Sequence, residues 1–188
     1  MIKIGITGSL ASGKSTASKM ISKRKGLLFS ADKTVKRLYK KTEVKKKILR
    51  IFNLSQTNNL KNVIKDKISN NKKILKKLEN ILHPLVRKEM FIFFKNNKNK
   101  KYIFCEIPLL IESKLTKYFD VIIFVKSKKK IRLKRYISKG GNPALFSFLD
   151  NLQLKDNKKM KFCDHIVVNN KSLSVLKKNL LNIMNLYE

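Results

Sequence analysis

The sequence predicts an α/β protein in which a parallel sheet of about five strands lies between two layers of helices. Short apolar runs rich in β-branched residues alternate along the chain with longer segments of helical spacing. These runs are apolar almost throughout, as is typical of strands covered on both faces of a sheet. A glycine-containing segment directly follows the first run and precedes a helical segment, an order common in such folds.

Five segments carry the strand pattern, and we predict strands at 1–7, 26–30, 102–106, 121–125 and 165–168. Helices are predicted from apolar residues at helical spacing, at 17–22, 33–52, 60–94, 128–138 and 144–160, and from the stripe Leu173, Leu176, Leu180 and Met184. Pro84 is predicted to end one helix and begin another within 60–94. The polar segments 53–59 and 96–100 are predicted loops.

Length and composition favour one compact domain with its own core. The chain has 188 residues, of which 43% are hydrophobic. No apolar run is long enough to cross a bilayer, and the first strand begins where a signal peptide would stand. Cys105 and Cys163 match no metal pattern and are expected to be reduced core thiols. We therefore expect a cytoplasmic protein without a membrane partner.

The net charge of +33 is the second unusual feature of the sequence. Lysines are scattered through almost every segment instead of being concentrated in one, whereas specific nucleic-acid readers usually gather charge on one face. The charge should attract small polyanions and cause weak, salt-sensitive contacts with nucleic acids. We expect no specific nucleic-acid partner, and the oligomeric state is not indicated.

Residues 8–15 match the phosphate-binding pattern G-x-x-x-x-G-K-[ST]. Gly8 and Gly13 allow the backbone to wrap around an anion, and the following helix adds its positive N-terminal end. Lys14 would reach the β- and γ-phosphates of ATP, and the Ser15 hydroxyl would hold Mg²⁺. Together with the strand and helix order, this motif predicts a three-layer sandwich of the P-loop NTPase type.

Several polar residues follow predicted strands and should meet at one edge of the sheet. Asp32 follows the second strand, Glu106 ends the third, and a further loop follows Val125. In open parallel sheets, ligands bind at the carboxyl ends of the strands. The sequence thus predicts a single active site around the loop 8–15.

The chain resembles dephospho-coenzyme A kinases almost from end to end. The matching segments are Ile-Thr-Gly-Ser-Leu-Ala-Ser-Gly-Lys-Ser-Thr at 6–16, Ala-Asp at 31–32 with Arg37, Leu-Glu-Asn-Ile-Leu-His-Pro-Leu-Val-Arg at 78–87, Glu-Ile-Pro-Leu-Leu-Ile-Glu at 106–112, Phe-Asp at 119–120, Arg135, Gln153, Lys159, Asp164 and Asn169. The resemblance implies transfer of the ATP γ-phosphate to the ribose 3′-hydroxyl of dephospho-coenzyme A. It also implies a helical substrate-binding insertion at about 55–98 and a lid at about 128–160.

The resemblance assigns roles to particular residues. Those implied for catalysis are Asp32, Lys14 and Arg135. Those implied for ATP are Gly8, Ala11, Ser12, Gly13, Lys14, Ser15, Thr16, Lys139 and Asn169. Those implied for the substrate are Asp32, Arg37, His83, Arg87 and Glu112, and those for Mg²⁺ are Ser15 and Glu106. Asp32 would accept the hydroxyl proton, which is the role we favour, although Asp is also well suited to cap a helix beginning at Lys33. Arg135 would lie over the γ-phosphate, and Asn169 would touch adenine.

Three positions depart from the family's usual residues. Ser30 stands where the family has a second aspartate, Glu106 replaces an aspartate, and Lys139 replaces a lid arginine. These departures leave open a degraded enzyme with weak activity. Another small-molecule kinase, such as a nucleoside or nucleotide kinase, and a nucleic-acid-binding ATPase are further alternatives.

Overall fold

A computed structural model describes residues 1–54, 60, 63–64, 67 and 71–188. Five parallel strands form one sheet in the order β2-β3-β1-β4-β5, which confirms the predicted α/β fold. The strands are β1 (Ile2–Thr7), β2 (Leu27–Ser30), β3 (Tyr102–Glu106), β4 (Val121–Lys126) and β5 (His165–Val168). Parallel pairing brings their carboxyl ends to one edge, where Ser30 lies beside Glu106.

The uniformly apolar strands are buried because helices cover the sheet. Ile4, Ile6, Ile123 and Val125 are fully buried in one hydrophobic cluster. The covering helices include α1 (Lys14–Lys25) and the last helix, α8 (Leu173–Asn185). The predicted stripe on α8 packs into this cluster through Leu176, Leu180 and Met184, whereas Leu173 is exposed.

The predicted helix 33–52 is two helices, α2 (Ala31–Leu38) and α3 (Thr42–Ile51). The prediction of one helix was wrong because Lys41 has an extended backbone (φ −73°, ψ 124°) that ends the regular hydrogen bonding. The break is compatible with packing since Leu38, Val44 and Ile48 still share one hydrophobic cluster. The loop predicted at 53–59 lies outside the described residues from 55 onward.

The predicted break at His83–Pro84 was also wrong. Helix α4 (Lys72–Asn96) runs through Pro84 without interruption. Proline removes one backbone donor from a helix. Leu78, Ile81, Leu82 and Met90 are buried on both sides of Pro84. Their burial holds the helix together despite the lost hydrogen bond. Most of residues 60–70, the first part of the predicted helical segment 60–94, lie outside the described residues.

After β4 the chain forms α5 (Lys129–Ile137), α6 (Pro143–Leu152) and α7 (Asp156–Met160). The single helix predicted at 144–160 was wrong, because Gln153 has an extended backbone (φ −79°, ψ 152°). Helix α6 begins with a side-chain cap, in which Asn142 Oδ1 accepts from Ala144 N at 2.7 Å, and Pro143 follows in the first turn.

The chain divides into two compact units. One comprises 1–30 and 97–188 and contains the sheet, and the other comprises 31–96 and contains α2, α3 and α4. The insertion proposed at about 55–98 and the lid at about 128–160 stay predictions. Among the described residues, no helix combines the length and apolarity that a membrane span requires.

Candidate active site

The loop between β1 and α1 requires glycine at both ends. Gly8 has φ 149° and Gly13 has φ 97°, values that L side chains rarely adopt. A Cβ on Gly8 would lie 2.4 Å from the carbonyl oxygen of Val125, and one on Gly13 would lie 2.1 Å from Asn169 Nδ2. The two glycines therefore allow a tight loop directly before the N-terminus of α1, as an anion cradle requires.

The carbonyl groups of this loop are held by neighbouring side chains. Lys14 Nζ donates to the Ser9 carbonyl at 2.8 Å, and Asn169 Nδ2 donates to the Ser12 carbonyl at 2.9 Å. In a planar trans peptide the carbonyl and the next N–H point in opposite directions. Fixing these carbonyls thus orients the following N–H groups the other way, and Ala11 (φ 57°) adds the left-handed residue typical of an anion nest.

Lys14 is the first residue of α1 and is only 7% exposed. Its ammonium group lies at the positive end of that helix, which makes the spot favourable for an anion. Thr16 N donates to Gly13 O at 3.1 Å, which begins the hydrogen bonding of the helix. The backbone donors, the glycines and the lysine fit the phosphate groups of ATP.

Glu106 connects the ends of two strands with the loop. It is 3% exposed, its Oε1 accepts a short hydrogen bond from Ser15 Oγ, and its Oε2 accepts from Ser30 Oγ at 3.0 Å. Mg²⁺ prefers oxygen ligands and commonly takes one or two carboxylates beside water and phosphate. The Ser15 hydroxyl and Glu106 fit that donor set. No group of three or more His, Cys, Asp or Glu able to hold a metal occurs in the described part of the chain.

Arg135, on α5, lies against the loop. Its Nη1 donates to the Ser12 carbonyl at 3.3 Å and to Ser127 Oγ at 3.3 Å, and its Nη2 donates to the Asn169 carbonyl at 3.1 Å. Asn169, which directly follows β5, is buried beside it. Both side chains therefore contact the backbone at Ser12. Lys139 lies beyond the end of α5 and is exposed.

Glu112 takes part in a buried ion pair that the sequence did not predict. Its Oε1 lies 2.7 Å from Nζ of Lys159, a fully buried lysine, and accepts from Leu154 N at 3.2 Å. Lys159 also donates to Gln153 Oε1 at 3.1 Å. Glu112 Oε2 is buried and has no hydrogen-bond partner among the residues that the structure describes. Glu112 is thus engaged with α7 and the segment before it.

Two further contacts of the loop were missed at the sequence level. Ser9 Oγ donates a short hydrogen bond to Asp156 Oδ1 at the start of α7, and Arg132 of α5 contacts the Leu10 carbonyl. Asp156 lies between Gln153 and Lys159, two single residues that match the family, and is not part of a matched segment. The sequence offered one indication that Arg132 has a specific role, because it is an arginine within a lysine-rich helix.

The unit formed by 31–96 holds the remaining predicted residues. Asp32 is in the first turn of α2, so it lies inside the helix and is not its N-cap. Arg37 Nη2 donates to Glu89 Oε2 at 2.8 Å. His83 and Arg87 lie one turn apart on α4 and line a surface cavity of about 520 Å³. Burial lowers the pKa of His83, Lys76 and Arg87 lower it further, and Glu79 opposes them.

Neither cysteine has the properties of a nucleophile. Burial raises the pKa of Cys105 well above its usual range, and burial together with Asp164 raises that of Cys163 to about 12. Both are free thiols. Cys105 is buried in the core, as predicted, whereas the prediction of a core position for Cys163 was wrong, because that residue is only partly buried.

Comparison with known proteins identifies the family. The family model described as dephospho-CoA kinase matches residues 2–174. A dephospho-CoA kinase of Rickettsia felis is 33% identical over an alignment of 174 positions that covers 89% of this chain and 87% of the relative.

Solved structures share the fold. TT1252 from Thermus thermophilus has a TM-score of 0.82 at 23% identity, covering all of this chain and 98% of that one. A dephospho-CoA kinase from Campylobacter jejuni has a TM-score of 0.63 at 23% identity, covering 97% and 95%. On the family match and the identity with the Rickettsia relative, this chain belongs to the dephospho-CoA kinase family.

Proposed function

We propose that this chain carries out its family's reaction with the residues assigned below. Dephospho-CoA kinases are ATP-dependent phosphotransferases that complete the biosynthesis of coenzyme A. The reaction moves the γ-phosphoryl group of ATP to the ribose 3′-hydroxyl of dephospho-coenzyme A. The observation that carries the residue assignment is the loop 8–15, with Lys14 at the start of α1 and Ser15 in contact with Glu106.

The loop and Lys14 bind the triphosphate. The N–H groups of the loop and of the first turn of α1 donate to phosphate oxygens. Lys14 has three donors, so it can keep its bond to the Ser9 carbonyl and also reach the β- and γ-phosphates. Because Lys14 is nearly buried, its charge acts where water screens it little. This arrangement stabilises negative charge that develops between the β- and γ-phosphates during transfer.

Ser15 and Glu106 would hold the metal ion. Mg²⁺ bound there would supply positive charge that offsets the charge of the phosphate groups. Glu106 accepts hydrogen bonds from two hydroxyl groups, so its carboxylate has a fixed orientation at the end of β3. The one additional methylene of glutamate, relative to the family's aspartate, lets the carboxylate reach both Ser15 and Ser30.

Asp32 accepts the proton of the attacking hydroxyl. The ribose 3′-oxygen forms a bond to the γ-phosphorus, the bond to the ADP oxygen breaks, and the hydroxyl proton passes to the Asp32 carboxylate. Support comes from the resemblance and from the position of Asp32 two residues after β2. Arg135 and Lys139 are proposed to contact the nucleotide, and Asn169 is proposed to line the adenine site.

The substrate side rests on Arg37, His83, Arg87 and Glu112. A guanidinium group suits the diphosphate of dephospho-coenzyme A because its planar fork can pair with two oxygens. Arg87 lines the α4 cavity together with His83, whose lowered pKa favours the neutral imidazole. A neutral His83 has one ring nitrogen that can donate a hydrogen bond to a substrate hydroxyl or amide group and one that can accept a hydrogen bond from such a group.

The test compares three variants with dephospho-coenzyme A, ATP and Mg²⁺. Lys14→Ala should lower kcat/KM by at least about a hundredfold because it removes a phosphate contact. Lys19→Ala removes an exposed lysine of the same helix and should leave turnover unchanged. Asp32→Asn should retain ATP binding and lose most of the transfer. Unchanged turnover in Lys14→Ala would contradict the assignment of the loop.

The same assay separates the alternatives. Phosphorylation of nucleosides in preference to dephospho-coenzyme A would favour a nucleoside kinase. Turnover near background in a folded wild-type protein would favour a degraded enzyme. The departures at Ser30, Glu106 and Lys139 would then be the first candidates for the cause of the lost activity.

A further inference from the structure

Arg132 is almost fully buried although it belongs to a helix rich in exposed lysines. It is 6% exposed, and its neighbours Lys130 and Lys134 on α5 are exposed. Burial of a guanidinium group is tolerated only where its charge and its donors have partners. The partners of Arg132 therefore indicate what the residue does.

The guanidinium group joins three parts of the sheet-containing unit. Nη1 donates to the Leu10 carbonyl in the phosphate loop at 3.2 Å. Nε donates to the Ser127 carbonyl, which follows β4, at 3.2 Å. Nη1 and Nη2 form a two-pronged pair with Asp150 of α6, at 2.5 and 3.3 Å.

Asp150 fixes the orientation of that group. Its side chain is 12% exposed, and the Arg132 guanidinium also lies over the Phe146 ring, 5.6 Å from its centre. A bidentate pair with a stacked aromatic ring leaves an arginine one rotamer and one orientation. Lys129 Nζ is 3.9 Å from Asp150 but is largely exposed, so it contributes little.

The contact with Leu10 determines the direction of one loop N–H group. Because a trans peptide is planar, a Leu10 carbonyl held toward Arg132 directs the Ala11 N–H to the opposite side. Lys14 and Asn169 act in the same way on the carbonyls of Ser9 and Ser12. Arg132 thus controls the central peptide in a series whose N–H groups form the anion nest.

We propose that Arg132, oriented by Asp150, is a positioning residue that keeps the phosphate-binding loop in its ATP-binding conformation. The proposal rests on the proposed function of the loop. The donors of Arg132 are engaged by Leu10, Ser127 and Asp150, so its effect on the site passes through the Leu10–Ala11 peptide. The α5–α6 pair thereby becomes a structural support of the nucleotide site.

The experiment measures the Kd of ATP with Mg²⁺ by calorimetry, and KM and kcat in parallel, in the full chain. Arg132→Lys retains the charge and loses the fork, and Asp150→Asn retains the shape and loses the pair. Each should raise the Kd and the KM for ATP by about tenfold or more, with a smaller change in kcat. The double variant should show little further loss, because both changes disturb one contact. Lys130→Gln on the same helix should match the wild type.

Several outcomes would overturn the inference. One is wild-type ATP affinity in Arg132→Lys or in Asp150→Asn when that variant unfolds cooperatively. Another is an equal loss in Lys130→Gln, which would indicate a general charge effect. If Arg132→Lys does not fold, Asp150→Asn decides alone. Lys14→Ala serves as the reference: unchanged ATP binding there would overturn the proposed function of the loop, and this inference with it.

Discussion

Replacement of Gly13 by alanine tests how tightly the phosphate loop is built. Alanine there must adopt φ 97°, and its Cβ would lie 2.1 Å from Asn169 Nδ2. A left-handed backbone costs a non-glycine residue about 1–2 kcal/mol, and loss of the bond from Asn169 to Ser12 costs about 1 kcal/mol more. We expect about 2–3 kcal/mol of lost stability in total, and a loss of ATP binding.

Gly140 provides the matched control. It also has a positive φ, of 76°, but an added Cβ would meet no atom within 4 Å. Gly140→Ala should therefore cost only the backbone term, about 1–2 kcal/mol, and leave ATP binding unchanged. In thermal unfolding, Gly13→Ala should lower the Tm by about 2–4 °C more than Gly140→Ala does, because the two variants differ by about 1 kcal/mol.

A second step separates the collision from the backbone cost. In an Asn169→Ala background, the amide atoms nearest the added Cβ are absent, so Gly13→Ala should cost only about 1–2 kcal/mol there. Equal destabilisation by Gly13→Ala and Gly140→Ala, or no difference between the two backgrounds, would refute the reasoning.

Three further predictions follow from the site. Ser30→Asp and Glu106→Asp should each raise the Mg²⁺ concentration that gives half-maximal turnover, and the double variant should be less impaired than the sum of the two, which a double-mutant cycle measures. Because the folded-state pKa of His83 lies below its ordinary 6.5, the unfolded chain binds more protons near and below pH 6.5. The free energy of unfolding should consequently fall as the pH drops through that range, and less so in His83→Gln, as urea titrations would show. Cys105, buried and with a raised pKa, should resist alkylation in the folded protein at neutral pH and react after unfolding, which mass spectrometry follows.

The sequence was sufficient for the parts of the fold that depend on local pattern. Strands β1, β3 and β4 are nearly continuous apolar runs, and such runs are typical of strands that helices cover on both faces of a sheet. Gly8 and Gly13 could also be assigned from the local sequence, because their spacing before Lys14 matches the phosphate-binding pattern. In these cases the physical cause lies within a few residues of the feature.

Predictions failed where the cause lay elsewhere in the chain. Pro84 carries a local signal for a helix end, but burial of Leu78, Ile81 and Met90 outweighs it. Asp150 looks like any acid on a helix, and only folding brings it to Arg132. The pair of Glu112 with Lys159 could not be predicted either, because the resemblance marks both residues but nothing in the sequence connects two positions that lie 47 residues apart.

The departures at Ser30 and Glu106 are one structural feature, although the sequence presents them as two separate substitutions. The two residues occupy paired positions on β2 and β3, and Ser30 Oγ donates to Glu106 Oε2 at 3.0 Å. Two carboxylates at such paired positions would repel each other, whereas a hydroxyl beside a carboxylate is attractive. The longer glutamate also reaches Ser15, so one carboxylate connects both hydroxyl groups. A change at one of these positions alters the hydrogen-bond partner that the other position has. The pair therefore favours two substitutions that compensate each other at the proposed metal site over the loss of function expected in a degraded enzyme.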